Sequence, residues 1–211
     1  TMLDKSLPYK SIVMRMEAAV ATRPTPPEPA PSYRIRPFES GDERHWARIE
    51  TSVGEFPDEA AARAYFERIY LAGAAERCLF VVTEQGEPVA TATAWTEEDA
   101  SRRQVQLQWV AVDPAHQAKG LGRAIVTAAL RQAARFASGE AILLHTQTWS
   151  HKALRLYYRL GFRFCRTQNI VMQRKDGTGL KTYANEFEAA MEVLRRTVEP
   201  AEIDTWIESA Q

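Results

Sequence analysis

Apolar residues recur along the 211-residue chain in two periods, and the alternation between them predicts a mixed α/β order. A strand is expected over 33–36, ended by Pro37. Two helices follow. One is opened by residues 40–42 and carries Trp46, Ile49 and Val53. The other is capped by Asp58, with Ala61, Tyr65 and Ile69 at helical spacing. Apolar runs predict strands over 78–83 and 88–95 around a turn at 84–87, then a strand over 105–112. Further on, the pattern predicts an alanine-rich helix over 122–136, a buried strand over 141–146 and a helix over 150–160 ended by Gly161. Short strands over 162–165 and 170–173 complete it.

Both ends carry patterns of their own. Five of the eleven prolines fall within 24–31, the composition of a stiff extended linker. Before it, Ile12, Met14 and Met16 alternate with Val13 and Arg15, the pattern of a short strand in need of a partner. Past residue 177, Asn185 is placed to cap a helix with Phe187, Met191, Leu194 and Val198 on one face. Pro200 opens another with Ile203, Trp206 and Ile207. Such a stripe has to pack on its own domain or on a second copy, so a homodimer and a lid beside the ligand site are both expected forms. The expected division is an N-terminal extension with linker (1–32), one domain (33–176) and a C-terminal helical extension (177–211).

Composition narrows the class. Hydrophobic residues make up 45% and charged residues 26%, which excludes wholesale disorder. No apolar run approaches the roughly 20 residues that span a bilayer. Residues 2–20 are interrupted by Asp4, Lys5, Lys10, Arg15 and Glu17, unlike a signal peptide. Cys78 and Cys165 are too few and too far apart for a disulfide framework or a metal cluster, so a reduced, cytoplasmic protein without metal is expected. The net charge of zero hides an asymmetry: residues 115–175 hold eleven bases and one acid, Glu140. That window suits an anionic ligand, and a solvated basic face explains it equally well. Nucleic acid is disfavoured because stacking aromatics are not interleaved with the bases.

The chemistry concentrates in two segments. Residues 107–123 read as a strand, a short loop with Gly120 and Gly122, and a helix start. Free backbone donors and the positive end of the helix dipole meet there, a combination suited to a pyrophosphate. The loop is neither G-x-G-x-x-G nor a P-loop. The second segment, 141–162, is a buried strand followed by a helix carrying Ala153, Tyr157, Gly161 and Phe162. Together they resemble the GNAT superfamily of acetyl-CoA-dependent N-acetyltransferases. That family's Gln/Arg-x-x-Gly-x-Gly/Ala is matched by Gln117, Gly120 and Gly122, and its Asn-x-x-Ala-x-x-x-Tyr-x-x-x-Gly-Phe by Ala153, Tyr157, Gly161 and Phe162. Ser150 stands where the family has Asn. The resemblance runs from residue 33 to about 173.

The resemblance implies a GNAT fold, a mixed and mostly antiparallel sheet flanked by helices. It implies an acetyl-CoA site in which the backbone of Val110, Ala111 and Val112 meets the pantetheine arm. Gln117, Ala118, Lys119, Gly120, Leu121, Gly122 and Arg123 would hold the pyrophosphate, with Ser150 and Tyr157 beside the cofactor. The Val110 N–H is implied as the oxyanion donor and Tyr157 as the general acid. The implied reaction moves an acetyl group to a primary amine of a small molecule or peptide by direct attack in a ternary complex. The alternative is an acyl-CoA-binding module with little turnover. The base stays open among Glu97, Glu98, His145 and His151, with Gln106 or Gln108 positioning a water and His116 assigned to solvent or phosphate. Acids in the first two helices (Asp42, Glu43, Glu50, Glu55, Asp58, Glu59 and Glu67) and Trp95, Trp109 and Trp149 are the expected acceptor surroundings.

Overall fold

The computed structural model describes residues 3–23, 29, 31–98 and 102–211. Pro24, Pro26 and Pro27 of the expected linker lie outside them. The strands are Ser11–Met16 (β1), Tyr33–Pro37 (β2), Cys78–Thr83 (β3), Pro88–Glu98 (β4), Arg103–Val112 (β5), Ile142–Gln147 (β6), Arg163–Phe164 (β7), Ile170–Gln173 (β8) and Leu180–Tyr183 (β9). The helices are Ala18–Ala21 (α1), Glu43–Ser52 (α2), Glu59–Ile69 (α3), Ala74–Arg77 (α4), Leu121–Phe136 (α5), His151–Leu160 (α6), Phe187–Leu194 (α7) and Pro200–Glu208 (α8). The first seven strands form one sheet in the order β2-β3-β4-β5-β6-β1-β7, and β8 and β9 pair as a separate hairpin. All pairings are antiparallel except β5 with β6.

Each face of the sheet buries a different kind of side chain. One packs on α5 through Ile125, Val126, Ala129 and Leu130, and Met14, Leu144 and Phe162 join the same cluster. The other is aromatic, with Trp46, Tyr65, Phe66, Tyr70 and Phe80 between the sheet and helices α2 and α3. Local signals read from the sequence behave as their chemistry requires. The Asp58 carboxylate accepts the Ala61 N–H at 2.8 Å, and Gly161 closes α6 at φ 112°, a conformation that favours glycine.

The ends of the chain are part of this architecture. The segment expected to lie in an N-terminal extension supplies β1, which runs antiparallel between β6 and β7. Ile12, Val13 and Met14 are fully buried there, because the middle of a strand with neighbours on both sides and cores on both faces needs apolar side chains in both directions. At the other end, Phe187, Met191, Leu194, Ile203 and Trp206 pack on their own domain, with the Phe164 ring 5.0 Å from Trp206 and 6.1 Å from Phe187. The stripe that argued for a second copy or a lid is thus covered within the chain, on the β7 and α6 side. The expected cap at Asn185 does not form. Its amide instead accepts from the Val13 N–H and donates to the Cys165 carbonyl, tying β1 to the segment after β7, and α7 begins without a side-chain cap. Strand β9 was not foreseen.

Met14→Ala tests the buried position of β1. Removing a fully buried methionine should cost about 2–5 kcal/mol. The melting temperature should fall by roughly 4–20 °C in a chain of this size. A differential scanning trace unchanged from the parent protein would place Met14 outside the core.

Candidate active site

Strands β5 and β6 are paired only at Val105–Ile142, Gln106–Leu143 and Leu107–Leu144. Past Leu107 they part. On its other edge β5 slips by one residue against β4 between the Thr93–Gln108 and Thr91–Ala111 pairs. Trp109 and Val110 therefore fall outside both registers, and Trp109 sits at φ 51°, unusual for a bulky residue. The indole is held in that strained place. Its Nε1 donates to the Tyr70 hydroxyl at 2.8 Å, and Phe56, Tyr65 and Trp46 lie 5.3–5.4 Å away. The parting opens a cavity of about 290 Å³ that Val110, Leu144, Ser150 and Tyr157 help to line.

At the far end of β5, a smaller hollow of about 130 Å³ is lined by Val112, His116, Gln117, Ala118, Gly120, Leu121 and Gly122. Asp113 caps the single turn at 114–116 by accepting the Ala115 N–H, and the Gln117 amide donates to the Val112 carbonyl at 2.8 Å, closing the loop. Ala118 and Gly120 both take positive φ, and a Cβ built on Gly120 would meet open space. The first-turn amides of α5 thus face a space with no side chain in the way, a fit for a pyrophosphate. Ala111, Lys119 and Arg123 line neither hollow. Ala111 is buried in the aromatic cluster, Lys119 donates to the Tyr33 hydroxyl at 3.1 Å, and Arg123 is exposed on the first turn of α5. His116 also bonds the Tyr33 hydroxyl.

The side of the large cavity away from the glycine loop is built from three places. Helix α2 and the loop after it bring Glu50 and Glu55. The β8–β9 hairpin brings Met172, Gln173, Lys175 and Tyr183. The segment before β1 brings Leu3, Lys5 and Tyr9. That last segment spans from the α2 end to the start of α6: the Leu3 N–H donates to Val53, Lys5 Nζ to Gly54, and the Asp4 N–H to Trp149, while Trp149 Nε1 donates to Leu7. Lys175 lies 4.4 Å from the Phe56 ring. Of the three tryptophans expected here, Trp109 and Trp149 line the cavity. Trp95 meets Tyr70 edge-to-face instead, with the ring centres 4.7 Å apart.

The residues considered for the base separate clearly. Glu97 is buried but outside the cavity lining, and it accepts from Gln108 Nε2 at 3.1 Å and from the Gln173 N–H at 3.3 Å; burial raises its pKa. Gln108 lines the cavity, yet both of its amide hydrogens go to Glu97 and Gln106, and its oxygen accepts from Tyr70. Gln106 is tied to Gln104 and Val171. Glu98 is exposed near the far end of β4, and His151 lies by Asp4; neither lines the cavity. His145 does line it, 2.9 Å from Ser11 Oγ and 5.1 Å from the Tyr183 ring, and burial pushes its pKa down to about 4. In the sequence Glu50 and Glu55 stand only as two acids among seven in this region. A signal for Glu50 was present: it lies four residues after Trp46, on the apolar stripe of α2. The hairpin left no comparable periodicity.

Among the described residues, no cluster of three His, Cys, Asp or Glu side chains is placed to hold a metal ion, and no helix is long and apolar enough to cross a membrane. The model of the acetyltransferase (GNAT) family matches residues 40–162. Among solved structures, a Drosophila protein aligns with a TM-score of 0.55 at 17% identity, over 75% of this chain and 48% of its own. A GCN5-related N-acetyltransferase from Sphaerobacter thermophilus aligns at 0.55 and 22%, over 74% and 49%. An aminoglycoside N-acetyltransferase in complex with CoA aligns at 0.53 and 18%, over 72% and 98%. The chain spans about half the length of the first two, and at these identities the likeness is one of fold. No curated protein matches the sequence.

Two outcomes follow from this geometry. Gly120→Trp puts a large side chain into the open space before α5 and should abolish acetyl-CoA binding in calorimetry; unchanged affinity in a folded variant would remove the loop from the cofactor site. His145 is favoured neutral in the fold, so the unfolded chain binds the extra proton. Its contribution to stability, on the order of 3 kcal/mol, is present above about pH 6.5 and lost as pH falls toward 4. Urea unfolding of His145→Gln should show a shallower loss between pH 7 and 4 than the parent protein.

Proposed function

The chain belongs to the acetyltransferase (GNAT) family, and on that premise we propose that it moves an acetyl group from acetyl-CoA to a primary amine of a small molecule or peptide by direct attack in a ternary complex. The observation that carries the reading is the shared cavity. The unpaired Val110, the Tyr157 side chain and a pair of acids line one space where β5 and β6 part. In this reading the Val110 N–H receives the thioester oxygen as it gains charge, and one such donor is typically worth about 3 kcal/mol. The loop from Gln117 to Gly122 holds the pyrophosphate, with Lys119 and Arg123 adding charge nearby. Glu50 and Glu55 among Tyr65, Trp109 and Trp149 suit a cationic amine on an apolar body. Both cysteines are buried free thiols, which suits the reducing cytoplasm.

Tyr157 supplies the proton for the departing thiolate. A free phenol near pKa 10 gives its proton to a thiolate near 8.5 at a cost of roughly 2 kcal/mol. Burial raises the Tyr157 pKa well above 10, and the carboxylates Glu50 and Glu55 raise it further, so the transfer starts more uphill. A bound ammonium beside those carboxylates offsets their part, which makes acid strength depend on the acceptor being in place.

Free-thiol release over a panel of amines tests the reading. Thiol released with an amine supports transfer, and tight acetyl-CoA binding with no release from any amine would favour an acyl-CoA-binding module. Tyr157→Phe should lower turnover about 10²-fold with cofactor affinity nearly intact. Unchanged turnover would hand the proton to another donor.

A further inference from the structure

Of the three buried acids among the described residues, two are neutralised or bonded within the fold. Asp42 accepts from the Arg36 guanidinium and the Glu39 N–H, and Glu97 accepts from Gln108 and the Gln173 N–H. Glu50 differs. It is 1% exposed, its Oε1 has no hydrogen-bond partner, and it lines the large cavity. An unpartnered buried carboxyl is costly to maintain and has to be explained by something it meets. Its depth follows from α2: Trp46 and Ile49 seat the apolar face in the aromatic core and carry Glu50 in with them.

We propose that Glu50 is the general base that takes the proton from the acceptor ammonium, an assignment that rests on the acetyl-transfer reading above. An alkyl amine near pKa 10 is about 99.9% protonated at pH 7 and cannot attack in that form. Glu50 accepts one N–H proton, leaving a neutral amine and a carboxylic acid. The nitrogen lone pair then forms the bond to the acetyl carbon, and the carbon–sulfur bond breaks. Tyr157 protonates the thiolate, and the second nitrogen proton returns to its phenolate. Glu50 releases its proton to solvent, so each turnover yields amide, free thiol and one H⁺. The surroundings favour this role. Burial holds the Glu50 pKa well above the ordinary carboxylate value, the Glu55 charge adds to that, and Lys175 opposes it. A carboxylate so placed is a stronger base than a solvated one. Glu55 is less suited, since it faces Lys175 and receives the Gln147 amide at 3.4 Å.

The test compares kcat/KM at pH 7 for an alkyl amine and a size-matched aromatic amine that is already neutral at that pH. With Glu50→Gln, the alkyl amine should lose about 10²-fold or more and the aromatic amine less than tenfold. Glu55→Gln should raise KM for the alkyl amine more than for the aromatic one, as a lost cation contact does, with the alkyl-amine kcat reduced less than by Glu50→Gln. Acetyl-CoA affinity by calorimetry reports whether the fold survives. If Glu50→Gln does not bind the cofactor, Glu50→Asp carries the same comparison, with the same selective loss expected. An equal loss on both amines, or none, would overturn the assignment. A parent protein that transfers to no amine would overturn the transfer reading itself, a result distinguishable because it needs no variant.

Discussion

The site depends on a pairing that stops. Parallel strands β5 and β6 share three residue pairs and then separate, while the one-residue slip at Trp109–Val110 loosens β5 from β4 at the same level. A sheet interior normally satisfies its backbone groups across both edges, so unpaired positions in a central strand are exceptional. Here they lie at the mouth of the large cavity. The strain is concentrated at Trp109, whose positive φ is tolerated because three aromatic neighbours and a hydrogen bond to Tyr70 hold the indole.

Around that gap the buried polar groups divide into two populations. Gln104, Gln106, Gln108, Glu97 and Tyr70 form one bonded chain that also reaches the backbone of Val171 and Gln173, so it fastens the hairpin to the central strands. Such a network rigidifies because every member has a partner. Glu50 belongs to the other population, buried without one. The same core that immobilises Gln108 keeps it from acting on a ligand, and it leaves Glu50 as the acid with unused bonding capacity in the cavity.

Enclosure of the cavity is long-range. The segment before β1 crosses from Val53 and Gly54 to Trp149, and Thr148 is bonded to both Pro8 and Lys10. Those contacts join residues about 50 and about 140 positions apart in the chain. The walls of the cavity therefore depend on β1 being seated between β6 and β7.

What the sequence determined by itself is what neighbouring residues decide among themselves. The glycine loop, the Asp58 cap, the Gly161 stop, and the order of the strands from β2 to β8 with the longer helices between them follow from turn chemistry and periodicity over a few residues. Gly120, Gly122 and Tyr157 were singled out by the resemblance to the family's motifs, which are themselves short patterns at set offsets. Only tertiary structure decided where β1 pairs, because an apolar strand fits any two open edges equally well. It also decided that Asn185 bridges two segments instead of capping a helix, and that the tail covers its own domain. The acids show the limit most sharply. Glu50, Glu55 and Glu97 are alike as residues, and only burial and hydrogen-bond supply from distant elements leave Glu97 satisfied and Glu50 with an unbonded oxygen at the cavity.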